Sequence, residues 1–204
     1  MVTDNAPRMD EARLIKMAQE GDLTAYNRLV LLHQEAVYNV VYRIMGDGDA
    51  AADITQDAFL SAYHAISRFT EGSFKAWLIR IATNACYDEF RRRKRRPQSS
   101  LDELTEENES AGFLRSDEPG PEQMHLRREM VQAIQDCLGH LPEDQRVAVV
   151  LCDVEGYDYS EIADIITSSL GTVKSRISRA RGKLRDCLQG FRELLPPQYR
   201  LENG

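Results

Sequence analysis

The sequence predicts an all-α protein built from two small helical domains joined by a flexible acidic linker. Apolar residues recur at helical spacing on both sides of a central segment that carries eight acidic residues and one basic residue. That segment also contains prolines and glycines but few large apolar side chains, so it cannot form a core of its own. At 204 residues the chain has room for two small domains. The predicted boundaries are an N-terminal extension at 1–19, a first domain at 20–96, the linker at 97–122, a second domain at 123–190 and a tail at 191–204.

The net charge of −7 is unevenly distributed, because the linker alone accounts for it and the rest of the chain sums to zero. Residues 91–96 form an unbroken run of six cations, and a second basic stretch follows residue 172. Because the charges are segregated, the basic segments can bind nucleic acid despite the negative net charge of the chain. The linker itself is either a solvated tether or an anionic segment that imitates a nucleic-acid strand, and the two roles are compatible.

Composition excludes several other classes of protein. No apolar run approaches the roughly 20 residues that a membrane helix needs, and no apolar signal core is present, which predicts a cytoplasmic protein. The four cysteines have no paired spacing, so we expect reduced and mostly buried thiols. The four histidines form no ligand pattern, and no metal or other cofactor is implied.

The first domain begins with a long helix whose inward face is Tyr26, Leu29, Val30, His33, Val37, Val40, Val41 and Ile44. Gly46 and its neighbours end this helix, and Asp49 is predicted to cap the next one. The outer face of that second helix carries Asp53, Gln56, Asp57 and Leu60. Like charges at i and i+4 are unfavourable in isolation, and an exposed leucine gains nothing in water. This face is therefore predicted to bind a basic partner surface around an apolar pocket, the alternative being an ordinary solvated face.

A third helix begins near Phe74, with a predicted buried stripe of Phe74, Leu78, Ile81 and Ala85. Its far side carries Arg80, Asn84, Tyr87 and Arg91, a mixture of cations, an amide and an aromatic ring that suits unpaired bases. The cations at 91–96 extend this helix to Pro97 and either bind phosphates or simply suit the negative helix end. Trp77 flanks the stripe and is expected in the core, with contact to a nucleic-acid strand as the alternative.

The second domain contains a predicted helix-turn-helix at about 158–181. Asp158 and Glu161 form a capping box for the first helix, and the hydroxyl residues at 167–169 suit the turn and the next N-cap. The second helix buries Val173, Ile177, Ala180 and Leu184. Its other faces present donors suited to base edges and phosphates in a major groove, namely Thr172, Lys174, Ser175, Arg176, Ser178 and Arg179. We expect Arg181, Lys183 and Arg185 to contact the DNA backbone.

Four segments in this order resemble bacterial sigma factors of the extracytoplasmic-function (ECF) group. They are DITQDAF at 53–59, FKAWLIRIATN at 74–84, the Leu141-Pro142 helix start and GTVKSR at 171–176. The resemblance extends from about residue 20 to residue 188. Thr167 stands where the family usually has glycine, and Ser168 where it usually has a buried aliphatic residue.

The resemblance implies a transcription initiation factor without catalytic activity. In the first domain, called region 2, Asp53, Gln56, Asp57 and Leu60 would bind core RNA polymerase. The loop at 68–73 and the residues Arg80, Asn84, Tyr87, Asp88, Arg91 and Arg92 would bind the promoter minus-ten element. In the second domain, called region 4, Thr172, Lys174, Ser175, Arg176, Ser178 and Arg179 would bind the minus-thirty-five element. Family members are often held inactive by an anti-sigma factor, so the resemblance also raises such a partner for this protein, one that would hold it at the membrane.

Two other functional classes remain open at this point. A helix-turn-helix also occurs in operator-binding repressors and activators, which bind duplex DNA without polymerase. An enzyme such as a nuclease is the third class, but the sequence shows no carboxylate cluster, Ser/His pair or glycine-rich phosphate loop that could carry out catalysis.

Overall fold

The computed structural model describes residues 10–95, 121–191 and 193–194, and within these ranges the regular structure is entirely helical. The all-α prediction is therefore confirmed. The helices are α1 (Glu11–Gln19), α2 (Leu23–Met45), α3 (Gly48–Ala65), α4 (Phe74–Arg95), α5 (Pro121–Gly139), α6 (Glu143–Val149), α7 (Tyr159–Ile165) and α8 (Leu170–Gln189), with a 3₁₀ turn at Ile66–Arg68 and a π-helical segment at Val150–Val154. The predicted linker, apart from the start of α5, and the tail beyond 194 lie outside the described residues.

The N-terminal half is organised around α2, which packs against α1, α3 and α4. Its predicted inward face is confirmed, because all eight of those side chains are buried or half-buried. Leu29, Val40, Val41 and Ile44 have no solvent exposure. A helix that meets neighbours on several sides needs such a broad apolar face, and burial of each large side chain contributes about 1.5–3 kcal/mol.

The turn between α2 and α3 differs from the prediction. Gly46 closes α2 in the left-handed conformation at φ 74°, and its N–H donates to the carbonyl of Tyr42. The N-cap of α3 is Asp47, whose extended backbone lets its carboxylate accept from the Ala50 N–H at 3.0 Å. The assignment of the cap to Asp49 is wrong, because α3 begins at Gly48 and Asp49 therefore lies in the first turn of the helix.

The buried face of α4 differs from the predicted stripe. Phe74 and Leu78 are buried as expected, but Ile81 and Ala85 are only half-buried. The buried face instead continues through Ile79, Ala82, Thr83, Cys86 and Phe90. Trp77 is half-buried at the edge of the core and packs against the rings of Phe69 and Phe74, with centroid separations of 5.4 and 5.5 Å, which agrees with the predicted packing role.

The C-terminal half contains the predicted helix-turn-helix as α7 and α8. The capping box is present, because Asp158 accepts from the Glu161 N–H and the Glu161 carboxylate accepts from the Asp158 N–H. Ser169 caps α8 by accepting from the Thr172 N–H. The predicted stripe on α8 is confirmed, with Val173, Ile177 and Ala180 buried and Leu184 half-buried, and Ile165 adds a buried contact from α7 that was not predicted.

The expectation of four reduced cysteines is wrong for one pair. Cys137 of α5 and Cys187 of α8 form a disulfide with a Cα–Cα distance of 5.8 Å. Fifty residues separate them in the sequence, so no local spacing revealed the pair. Cys86 and Cys152 are free thiols, and burial raises the pKa of Cys86 to about 12. Cys86 therefore stays protonated and unreactive at neutral pH.

The two halves contact each other at the C-terminal end of α2. Gln135 donates to the Tyr42 and Arg43 carbonyls at 3.3 and 3.4 Å. Arg146 donates to the Ile44 carbonyl at 2.8 Å. These carbonyls belong to the last turn of a helix, where intrahelical donors run out. The Tyr42 carbonyl also accepts from the Gly46 N–H, and donors from the other half satisfy the carbonyls of Arg43 and Ile44.

Thr167 provides a test of strain in the helix-turn-helix. It lies at φ 50°, which is unfavourable for a β-branched residue and natural for glycine. We expect Thr167→Gly to raise the free energy of unfolding by about 1 kcal/mol, since relief of strain exceeds the entropy cost of glycine. Denaturant unfolding measures the change.

Ser168→Gly is the matched control, because Ser168 neighbours Thr167 but has no positive φ. It should give no gain. Equal stabilisation by both substitutions would show that strain at Thr167 is not the cause.

Candidate nucleic-acid and partner interfaces

The predicted partner-binding face lies on α3 beside a groove. Asp53, Gln56, Asp57 and Leu60 are all exposed, and the Leu60 side chain has 53% of its surface in water. The groove runs between α2 and α3 with a volume of about 520 Å³. It is lined by Leu23, Tyr26, Asn27, Val30, Gln34, Ala52, Thr55, Gln56, Phe59, Leu60 and Tyr63.

The groove adds residues that the sequence pattern did not single out. Leu23, Asn27 and Gln34 of α2 line it opposite the α3 face, and Leu23 is exposed. The Thr55 hydroxyl in the same lining is buried without a hydrogen-bond partner among the described residues. An apolar groove flanked by Asp53 and Asp57 suits a partner that presents an apolar side chain between cations.

The exposed stripe on α4 consists of Arg80, Asn84, Asp88 and Arg91. Arg91 pairs with Asp88 at 2.6 Å, and Arg92 pairs with Glu89 at the same distance. The exposed Arg91–Asp88 pair is weak in water and can exchange for a phosphate, whereas the Glu89 side chain is only 12% exposed. Hydrogen bonding to Glu89 is the main cause of a raised pKa at Arg92, with smaller contributions from Asp53 and Asp57. The acidic face of α3 therefore lies close to the basic end of α4.

Tyr87 does not share this exposed stripe, so its predicted position there is wrong. The residue is half-buried, and its hydroxyl is buried with no hydrogen-bond partner in the described part of the chain. Burial raises its pKa to about 12, and the charges of Arg176, Asp144 and Glu143 also act on it. Tyr87 thus faces the C-terminal half instead of solvent.

Most of the predicted DNA-facing residues of α8 are exposed. Lys174, Ser175, Ser178 and Arg179 lie in solvent, while Thr172 is half-buried beside the Ser169 cap. Arg176 differs from them. Its guanidinium binds the Asp144 carboxylate at 2.9 Å, and its side chain is only 25% exposed.

Arg181 is held within the C-terminal half. Its guanidinium donates two hydrogen bonds to the Asp153 carboxylate at 2.6 and 2.9 Å. This bidentate contact lowers the pKa of Asp153. Arg181 therefore fastens α8 to the π-helical segment, whereas Lys183 and Arg185 are exposed.

The described residues contain no cluster of histidine, cysteine or carboxylate side chains that could hold a metal ion. Nor does any helix within them have the length and apolarity needed to cross a membrane.

Comparison with known families assigns each half. The model of Sigma-70 region 2 matches residues 29–96, and the model of Sigma-70 region 4 matches residues 131–184. Together with the helical halves described above, these matches define a two-region sigma factor of the Sigma-70 class.

Individual relatives specify the family more narrowly. The chain is 38% identical over 170 residues to the ECF RNA polymerase sigma-E factor of Escherichia coli K12, covering 82% of this chain and 88% of that one. It is 37% identical over 169 residues to the ECF sigma factor SigE of Mycolicibacterium smegmatis, covering 83% of this chain but only 63% of that protein's length. The chain therefore belongs to the ECF sigma factors.

Two solved structures share the fold. One is the sigma factor RpoE of Bartonella quintana in complex with the anti-sigma factor NepR, at 29% identity and a TM-score of 0.64, covering 81% of this chain and 98% of that chain. The other is CnrH in complex with the cytosolic domain of CnrY, at 27% identity and a TM-score of 0.62, covering 89% and 99%.

The Arg181–Asp153 pair has a predicted pH signature. Because the folded-state pKa of Asp153 is lowered, the pair stabilises the fold above the ordinary carboxyl pKa and loses this effect as pH falls through the lowered value. Arg181→Gln should lower the free energy of unfolding by about 1 kcal/mol at pH 7. The difference from the wild type should shrink as the pH falls through this lowered pKa.

Arg185→Gln removes the same charge from an exposed position on α8 and should leave stability unchanged. Denaturant unfolding at pH 7 and at acidic pH makes the comparison. A deficit in Arg181→Gln that persisted at low pH would assign it to lost packing rather than to the ion pair.

Proposed function

We propose that the protein binds core RNA polymerase through the α3 face and directs it to promoters. Asp53, Gln56, Asp57 and Leu60 contact the polymerase, with the apolar groove beside them receiving a polymerase side chain. Helix α8 reads the minus-thirty-five element as duplex, and the exposed stripe of α4 holds the melted minus-ten element. An anti-sigma factor is a further proposed partner, supported by the complexes formed by RpoE and CnrH.

The observation that carries this proposal is the presence of two chemically opposite surfaces on one chain. The α3 face is acidic around a leucine and a groove, which suits a protein surface and repels DNA. The exposed side of α8 carries Lys174 and Arg179 and suits DNA. A protein with both surfaces can bring a protein catalyst to a DNA site.

The division of work follows from the chemistry of each surface. Lys174, Arg176 and Arg179 are the best candidates for base or phosphate contacts in the major groove, where one good bidentate base contact discriminates by about 1–3 kcal/mol. Asn84 and Arg80 can hydrogen-bond an extruded base and so offset an unstacking cost of a few kcal/mol. Binding at two sites on one DNA gives selectivity that neither modest contact provides alone.

The direct test of function is transcription in vitro with purified core RNA polymerase over a genomic promoter library. We expect promoter-dependent transcripts only when the protein is added. Tight binding to an isolated duplex operator, without polymerase and without transcripts, would instead support the repressor class, which the matches to both sigma regions do not favour.

Reversal of the acidic pair tests the polymerase interface. Asp53→Lys combined with Asp57→Lys should weaken binding to core polymerase at least about tenfold, because both substitutions turn attraction to a basic surface into repulsion. Helix content should be unchanged, since both side chains are exposed. Titration of labelled protein with core enzyme measures the affinity.

Glu35→Lys is the control for this experiment, because Glu35 is exposed on α2 outside the groove lining. It should keep wild-type affinity. Native affinity in the double variant would exclude the α3 face from the interface.

Asn84 tests the role of α4 in melted DNA. Asn84→Ala should leave binding to core polymerase intact but reduce open-complex formation about tenfold, because the extruded base loses a hydrogen-bonding amide. Permanganate footprinting of unpaired thymines measures the melting. A normal footprint would remove Asn84 from the site.

A further inference from the structure

The loop that leads into α4 has an exposed tip, defined as residues 70–73. At the exit of the loop, the Ser73 hydroxyl accepts from the Ala76 N–H at 3.2 Å, and the Ser73 carbonyl accepts from the Trp77 N–H at 3.1 Å. Gly72 lies at φ 101°, a conformation that residues with side chains rarely adopt. The tip therefore has a defined backbone shape although it is open to solvent.

Gln19, the last residue of α1, fixes the entry to the same loop. Its side-chain amide donates to the Phe69 carbonyl at 2.6 Å and to the Ile66 carbonyl at 3.1 Å, across 50 and 47 residues of sequence. One amide group has two N–H donors and can serve both acceptors. Because the Phe69 carbonyl belongs to the residue just before the tip, its hydrogen bond sets the direction in which the tip leaves the core.

Helix α1 is itself fixed against the core beneath this loop. Leu14 is buried, and the Glu11 carboxylate lies 2.9 Å from the His33 ring nitrogen of α2. The His33 ring packs on Phe74 with a centroid separation of 5.5 Å, and Phe74 packs on Phe69 at 5.4 Å. Gln19 therefore reaches the loop from a helix that is held in place by the same aromatic cluster.

The tip lies at one end of the exposed stripe of α4. Ser73 precedes Arg80 by seven residues and Asn84 by eleven, and these helical spacings place the three residues on one face. Ser73 is about 10 Å from Arg80 along the helix axis, a length that about three stacked nucleotides cover. A single strand bound to Arg80 and Asn84 therefore reaches the tip. Main-chain groups and the Thr70 hydroxyl are exposed there and can hydrogen-bond the edge of a base.

We propose that Gln19 is a positioning residue for promoter melting, which holds the tip in the conformation that binds one unpaired base of the melted strand. The proposal rests on the proposed function, since it takes the stripe of α4 as the site of the melted minus-ten element. Gln19 acts through the Ile66 and Phe69 carbonyls and not by contact with the base. A loop that is already ordered binds a base without a further ordering cost, so loss of the amide should weaken base binding.

The variants change the loop from both of its ends. Gln19→Leu keeps much of the side-chain volume but removes the donors, whereas Gln19→Lys keeps a donor that can reach a main-chain carbonyl. Gly72→Ala strains the tip directly, because φ 101° is unfavourable for alanine while the added Cβ meets no described atom within 4 Å. Should Gln19→Leu fail to fold, Gln19→Asn replaces it, since the shorter amide cannot reach both carbonyls.

Gln132→Leu is the matched control for Gln19→Leu. Gln132 is exposed on α5, and its amide donates to Asp136 of the same helix at 2.9 Å. The same chemical change there should alter neither the loop nor binding to promoters. Circular dichroism and thermal unfolding check that each variant is folded.

The fluorescence of Trp77 reports on the loop in the free protein. It is the single tryptophan of the sequence, and its ring packs on Phe69 with a centroid separation of 5.4 Å. Quenching by acrylamide should be at least about 1.5-fold stronger in Gln19→Leu than in the wild type and Gln132→Leu, because the loop opens locally more often. Gln19→Lys should restore quenching to near the wild-type level.

Base binding is measured with holoenzyme assembled from each full-length variant and purified core polymerase. The probe is a promoter recovered from the transcription library, with its minus-ten strand unpaired and one base at a time replaced by an abasic sugar. In the wild type, removal of the base that the tip binds should lower affinity about tenfold. In Gln19→Leu and Gly72→Ala the same removal should cost less than about twofold, with unchanged costs at the other positions. Gln19→Lys should recover the wild-type cost.

The profile of abasic costs separates positioning from a purely structural role. A structural role lowers affinity for every probe by the same factor and leaves the profile unchanged, which would overturn the proposal. A profile altered in Gly72→Ala but not in Gln19→Leu would assign the base to the tip and exclude Gln19. Loss of the cost at one position in both variants, with recovery in Gln19→Lys, would support the proposal.

The same experiment distinguishes failure of this proposal from failure of the proposed function. If wild-type holoenzyme neither binds the probes nor produces transcripts, the proposed function fails and the role of Gln19 fails with it. If wild-type holoenzyme transcribes normally and Gln19→Leu keeps the wild-type profile, only the role of Gln19 is overturned.

Discussion

The guanidinium of Arg146 is the contact on which the arrangement of the molecule depends. It is half-buried, and its burial, which lowers its pKa, is tolerated because three backbone carbonyls accept its hydrogen bonds. The Gly139 carbonyl ends α5, the Leu141 carbonyl precedes α6, and the Ile44 carbonyl lies in the last turn of α2. One side chain therefore fixes the entry to region 4 and places region 4 against region 2.

The local features of the fold could be predicted from the sequence because their causes are local. The capping box at Asp158 and Glu161 and the buried stripe of α8 follow from spacing within one or two helical turns. The cap of α3 was misassigned because Asp47 and Asp49 flank the same glycine, and only the backbone geometry distinguishes them. Thr167 was recognised as unusual, and its left-handed conformation explains why glycine is usual there.

The long-range features left no comparable signal. Cys137 and Cys187 come into contact only because α5 packs against α8. The burial of the Tyr87 hydroxyl depends on residues from both halves of the chain. The candidate polymerase face was found because Asp53, Asp57 and Leu60 are unfavourable without a partner. The groove beside it required the structure, since α2 supplies Leu23, Asn27 and Gln34.

The docking of Gln135 and Arg146 onto main-chain oxygens has a consequence for how this sequence can vary. The acceptors belong to Tyr42, Arg43 and Ile44, but every amino acid at those positions offers the same carbonyl. Substitutions at these positions of α2 can therefore accumulate without altering the hydrogen bonds, provided that the helix keeps its length. Gln135 and Arg146 donate through their side chains and have no such freedom, so we expect sequence divergence to be greater at the acceptor positions than at the donor positions.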